Sequence, residues 1–150
     1  MSVSVVNRQR SRRVPRQGLS TFLRRADRLV AAGRGGELTV CLVSDRKMRE
    51  LSRVYRGRDA PTDVLSFPAG GDESEPGRRY LGDIAVSVET AARQARQRGH
   101  ALAVELKILV LHGYLHLLGL DHETDDGQMM RLQRRLERRL LDPGWPGKRR

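Results

Sequence analysis

Cysteine occurs once in the 150-residue sequence, as Cys41, so no intramolecular disulfide can staple the fold. A lone thiol fits a reducing compartment. Its place in the apolar run ELTVCLV marks it as a buried structural thiol, because free cysteine packs as a small hydrophobe. Aromatic residues make up only 4% of the chain, which leaves the core to Leu, Val and Ala and leaves few rings to stack on nucleic-acid bases. No apolar run approaches the roughly 20 residues needed to cross a bilayer. The N-terminal stretch MSVSVVNRQRSRR lacks the charged-then-apolar order of a secretory signal. It is rich in Ser and Arg with no acid before Asp27, which keeps a transit peptide as a lesser reading; VSVVN reads better as a first strand.

Arginine, by contrast, is abundant. Lysine is confined to Lys47, Lys107 and Lys148, yet Lys and Arg together number 29 against 18 acids, for a net charge of +11. The sequence pI is about 11.2. That balance points to a polyanionic partner, RNA or DNA first and an anionic membrane surface second. Basic patches supply the sequence-independent part of nucleic-acid binding. An arginine bias also follows genome composition, so the charge alone does not define a function. The length suits one domain, residues 1–150, with a core large enough to need no staples.

Hydrophobic periodicity outlines the elements. Residues 3–7 suit a short strand, followed by the basic segment RQRSRRVPR. Residues 19–32 carry apolar side chains at helical spacing, from Leu19 and Phe22 to Leu29 and Val30, and GRGG stops them. Residues 37–43 suit a strand buried on both faces. Asp45 reads as the N-cap of a helix reaching Tyr55. GRDAPTD is a loop, residues 64–67 are a strand ended by Pro68, and AGGDESEPGRR is a surface loop. Residues 80–86 return as a strand. Ser87 caps a helix that Gly99 stops. Residues 101–118 form a long apolar helix, and Met129, Leu132, Leu136 and Leu140 mark a last amphipathic one before the tail PGWPGKRR. This mixture predicts an α+β fold. A small mixed sheet of about four strands packs with about five helices, and the long helix lies at the centre.

The end of that helix holds three of the chain's four histidines, in LVLHGYLHLLGLDHE. His112 and His116 are four residues apart and share one helix face, about 5–6 Å between Cβ atoms. Gly119 sits where a helix C-terminus turns through positive φ, which brings His122 back towards the same point. Three neutral imidazoles so placed hold one metal ion. Zinc is the expected metal, and a fourth position left for water or substrate is the mark of a catalytic site. Ordinary core or surface histidines are the bland alternative, but it explains neither the spacing nor the glycine. The pattern H-x-x-x-H-x-x-G-x-x-H matches the ligand spacing of metzincin peptidases, which carry glutamate directly after the first histidine. Here that position is Gly113, so the usual proton acceptor is missing.

HGYLHLLGLDHE resembles the signature of the YbeY family of metal-dependent endoribonucleases, which act in ribosomal RNA maturation. YRGRDAPTDVLSFP (residues 55–68) and YLGDIAVS (residues 80–87) resemble further segments of that family, in the same order. The likeness spans residues 37–140. It departs at Leu120, where the family usually has tyrosine, which alters packing beside the site and removes no ligand. The resemblance implies a cytoplasmic, single-strand-specific endoribonuclease that processes the 16S 3′ end and serves ribosome quality control. Its partners would be precursor RNA and the small subunit or its assembly factors. It implies His112, His116 and His122 as zinc ligands.

The resemblance also places Arg56 at the scissile phosphate, where a planar guanidinium suits bidentate contact. Without it, Arg56 reads as a helix cap or a partner of Asp59 or Asp63. Asp121 is a catalytic candidate, as a base or, better, as a carboxylate that orients an imidazole. The nucleophile is left open between a metal-activated water and the RNA's own 2′-hydroxyl. Asp83 and Asp63 read as structural. Arg131, Arg134, Arg135 and Arg138, with Arg139, surround the leucine stripe of the last helix, either as a solvated face or as an RNA contact. Two rivals remain: a zinc metallopeptidase, kept by the ligand spacing, and a non-enzymatic ribosome assembly factor.

Overall fold

The structure is a computed structural model that describes residues 1–30, 35–57, 62–70 and 79–141. Those residues form, in order, β1 (Ser2–Asn7), α1 (Arg16–Val30), β2 (Glu37–Val43), α2 (Asp45–Arg56), β3 (Val64–Pro68), β4 (Tyr80–Ser87), α3 (Val88–Arg98), α4 (Leu102–Leu117) and α5 (Gln128–Leu140). The sheet order is β1-β2-β4-β3. β1, β2 and β4 run parallel, and β3 pairs antiparallel with β4 at the edge. The expected α+β class and mixed four-stranded sheet are both present.

β2 and β4 are interior strands, hydrogen-bonded along both edges, and β2 is buried on one face and only partly covered on the other, short of the burial on both faces that its apolar run suggests. Alternate residues point to opposite faces. Leu38, Val40 and Leu42 of β2, with Ile84 and Val86 of β4, join the main core beneath α1 and α4. Val43 and Ala85 join a smaller cluster with Met48 of α2. α2 covers only part of this second face. Cys41 therefore stays half-buried, against the expectation of a fully buried thiol, and burial still pushes its pKa up.

α4 is apolar around nearly its whole circumference and packs against α1, α3, β3 and β4. Such a helix belongs in the interior. Its polar groups are answered one by one. Tyr114 donates to buried Asp27 at 2.7 Å. Glu105, fully buried, accepts from Arg98 and lies 3.1 Å from His100 Nε2.

The helix ends refine the sequence reading. Ser44, not Asp45, caps α2 by accepting from the Lys47 amide at 3.2 Å. Asp45 is already helical, and its carboxylate is engaged by α3: Thr90 Oγ1 lies at 2.6 Å and Arg93 at 2.8 Å, beside Ser87 Oγ. Gly57 closes α2 at φ 68°. Ser87 and Gly99 cap α3 as expected. α1 starts earlier than residue 19. The expected end of that helix at residues 31–32, most of AGGDESEPGRR and the C-terminal tail lie outside the described residues.

Candidate metal centre

α4 delivers His112 and His116 from its C-terminal turns. Leu118 ends the helix, Gly119 takes φ 96°, and the amides of Gly119 and Leu120 bond back to the carbonyls of His116 and Leu115. This reversal is a helix C-cap in which only glycine adopts positive φ without strain. The chain then enters a tight turn. Asp121 Oδ1 accepts from the Glu123 amide at 3.0 Å, and its carbonyl accepts from Asp125 N–H. His122 is held between these anchors. Its ring meets those of His112 and His116 at centroid distances of 5.1 and 5.3 Å, and those two are 4.8 Å apart.

One donor nitrogen from each ring lies within 4.8 Å of the others. The chemistry of the set fits a divalent metal. All three are imidazoles, and protonated rings this close would repel one another. Burial lowers the pKa of His116, and the neighbouring His112 and His122 lower it further, outweighing Asp121. The neutral ring so favoured is the form that binds metal. His112 Nδ1 lies 2.9 Å from Gln133 Oε1 of α5. The fourth histidine, His100, stands apart with Glu105.

The three rings open into a cleft between the edge strand β3 and α5. Arg56, the last residue of α2, lines this cleft and is exposed; no ion pair among the described residues engages it. Asp63, its suggested partner, accepts instead from the Val64 amide and from Gln94. Asp59 lies outside the described residues. Of the α5 arginines, Arg134 and Arg138 line the cleft. Arg131 turns to the Asp126 carbonyl at 3.0 Å, and neither it nor Arg135 or Arg139 belongs to the lining. Asp83 is bonded to Tyr80 of its own strand. Leu120 is partly buried against the main core.

Three features of the cleft escaped sequence reading. Gln133 is one, set inside an apolar stripe, and its polarity at a core position was the available signal. Glu137 is another. Burial raises its pKa despite a hydrogen bond from Gln133. The third is Tyr55, 66% exposed at the cleft with its ring 5.0 Å from Phe67.

The position after the first ligand also finds its reason. Gly113 lies against the sheet, where a Cβ would stand 2.7 Å from Ile84 Cγ2 and 3.1 Å from Ser66 Oγ. Ser66 donates to the Gly113 carbonyl at 3.2 Å. The glutamate of a metzincin peptidase has no room here.

A mixed α+β sheet carrying three convergent histidines, a guanidinium-lined cleft and no carboxylate beside the first ligand describes a metal-site protein suited to an anionic substrate. The chain belongs to the YbeY family: the family model described as Endoribonuclease YbeY matches residues 4–141. The endoribonuclease YbeY of Moorella thermoacetica is 48% identical over 138 residues, covering 85% of this chain and 88% of the relative. That of Solibacter usitatus is 42% identical, covering 91% and 87%. The solution structure of TM1509 from Thermotoga maritima superposes with a TM-score of 0.62 at 27% identity, covering 95% of this chain and 98% of that one. The family match reaches back through β1 and α1, beyond the span of residues 37–140 on which the motifs lie.

Proposed function

We propose that this YbeY-family endoribonuclease cleaves single-stranded RNA with a zinc ion held by His112, His116 and His122, and that it does so in ribosomal RNA maturation and ribosome quality control. The observation that carries the reading is the convergence of three imidazoles in a cleft whose other polar walls include Arg56, Arg134 and Arg138. Bound there, the metal supplies Lewis-acid charge for a phosphodiester. Arg56 binds the scissile phosphate through its planar fork and meets the charge that develops on it. Arg134 and Arg138, on an element across the sheet from α2, hold the flanking backbone and draw the polyanion in. Asp121 acts through the turn it closes, keeping His122 in register. Residues 1–150 act as one endoribonuclease domain in the cytoplasm, working on precursor RNA bound to the small subunit; no described helix is long and apolar enough to cross a membrane.

Gly113 argues against the peptidase reading, because the general base that chemistry uses cannot be built at this position. Single-turnover cleavage of a single-stranded RNA, run with and without chelator on nuclease-free protein, tests the proposal. Cleavage that chelation abolishes and zinc restores is the expected result, and His116→Ala should lose metal and cleavage together. Undiminished cleavage by the metal-free His116→Ala protein would overturn it. A pure assembly factor would instead bind RNA without cutting it under any of these conditions.

A further inference from the structure

α5 turns Met129 and Leu136 into the core, and Gln133 lies between them at 4% exposure. A buried amide is costly unless its polar atoms are paired. Here they are. Gln133 Nε2 donates to the Ile108 carbonyl at 3.4 Å and to Glu137 Oε1 at 3.3 Å, and Oε1 lies 2.9 Å from His112 Nδ1. Those partners fix the direction of the amide. Reversed, its oxygen would face a carbonyl and a carboxylate, both of them acceptors. Since Oε1 can only accept, Nδ1 of His112 must carry the hydrogen. In the neutral ring the lone pair is then on Nε2.

We propose that Gln133 is a positioning residue of the metal centre: it sets the tautomer and ring angle of His112 so that Nε2 is the nitrogen presented to the metal. The assignment rests on the three-histidine reading above. One glutamine grips the imidazole and also the carbonyl one turn earlier on α4, so the ring is braced against its own helix. Partners of this kind fix the orientation of a ligating histidine and raise its basicity. The sequence around Gln133 supports a purpose beyond packing, because an aliphatic residue would satisfy the core stripe without any bonding requirement.

Zinc affinity of the full chain, measured by competition with a chromophoric chelator, tests this. Gln133→Leu keeps the bulk and removes the acceptor; affinity should fall about 10–100-fold. Gln133→Glu keeps an acceptor for Nδ1 but loses the donor to Ile108 and faces Glu137. It should lose stability and still bind zinc at least as tightly as the parent. A glutamine that only pins α5 to α4 would lower stability in both variants and change affinity in neither, and that pattern overturns the proposal. Should Gln133→Leu fail to fold, imidazole nitrogen shifts of the metal-free parent decide instead. His112 protonated at Nδ1 supports the assignment, and protonation at Nε2 overturns it. Failure of the parent chain to bind zinc would sink the metal reading itself, whereas a parent that binds and an unaffected Gln133→Leu sink only the role of Gln133.

Discussion

Replacing Gly113 with alanine sets two effects of opposite sign against each other. Alanine favours the helix by about 1 kcal/mol over glycine. The added methyl, however, would stand 2.7 Å from Ile84 Cγ2 and 3.2 Å from Cγ1. Ordinary carbon–carbon contact is about 3.5–4.0 Å, so the overlap is close to 1 Å. Ile84 is fully buried in an interior strand and has nowhere to retreat. Either it leaves its rotamer or α4 lifts from the sheet, and overpacking of this kind costs about 1–3 kcal/mol. Set against the helix gain, the steric cost leaves a net loss of up to about 2 kcal/mol. For a chain of this length each kcal/mol moves Tm by about 2–4 °C. Thermal unfolding of Gly113→Ala should therefore show a drop of a few degrees. Ile84→Ala should relieve the added strain, so the double variant should be more stable than the two single changes sum to. Gly113→Glu should fail to fold and should gain no peptidase activity. A Gly113→Ala protein more stable than the parent, the full helix gain realised, would refute the close contact and, with it, the steric argument against a metzincin base.

Three other outcomes follow from named contacts. Arg56→Ala should keep its metal affinity and lose about 10²–10³-fold in single-turnover RNA cleavage, the scale of a lost transition-state donor; unchanged turnover would refute the phosphate role proposed for Arg56. Tyr114→Phe strips Asp27 of the hydroxyl bonded at 2.7 Å in the core. It should destabilise the chain by about 1–3 kcal/mol in urea unfolding, and a neutral result would mean the carboxylate finds another partner. Asp45 has its pKa lowered: burial opposes the shift, but hydrogen bonds from Ser87, Thr90 and Arg93 outweigh it. A depressed folded-state pKa adds stability above the unfolded value, and that stability disappears as pH falls through the folded one. Asp45→Asn should thus be less stable than the parent at pH 7, with the gap closing in acid below about pH 4; a gap that persists there would contradict the assignment.

Elements whose residues answer to their immediate neighbours were legible in the sequence. Residues 37–43 alternate between a buried face and a partly covered one, and Ser87 and Gly99 bracket α3, because caps and periodicity are local rules. In the sequence, Asp45 alone reads as the cap of α2. The choice went to Ser44 because Asp45 is claimed by α3, more than 40 residues away, which no local rule reports. The strand order was equally hidden. β3 follows α2 in the chain yet pairs only with β4, and that placement puts its outer edge along the cleft. The histidines were readable since helix period and one glycine suffice to gather them. Gln133 was not, as it meets His112 across a helix–helix contact. The five α5 arginines looked alike in sequence and were separated only by the angle at which α5 docks.

The ligand spacing shared with metzincin peptidases does not carry their chemistry with it, and the reason lies in the face of α4 beside the metal. Adjacent residues on a helix point in directions about 100° apart. With His112 and His116 turned to the cleft, position 113 meets Ile84 and Ser66 of the sheet. A small residue there lets α4 lie flush on β3 and β4, and that close approach sets the edge strand beside the imidazoles. The same contact thus excludes a carboxylate at position 113 and shapes one wall of the substrate cleft. Around the imidazoles the cleft is lined by Arg56 from the end of α2 and by Arg134 and Arg138 from α5, alongside the carboxylates Asp63, Asp121, Glu123 and Glu137. A peptide bond offers no formal negative charge for such a constellation to hold. A phosphodiester does, so the arginines beside the imidazoles and the missing glutamate at position 113 favour the same substrate class.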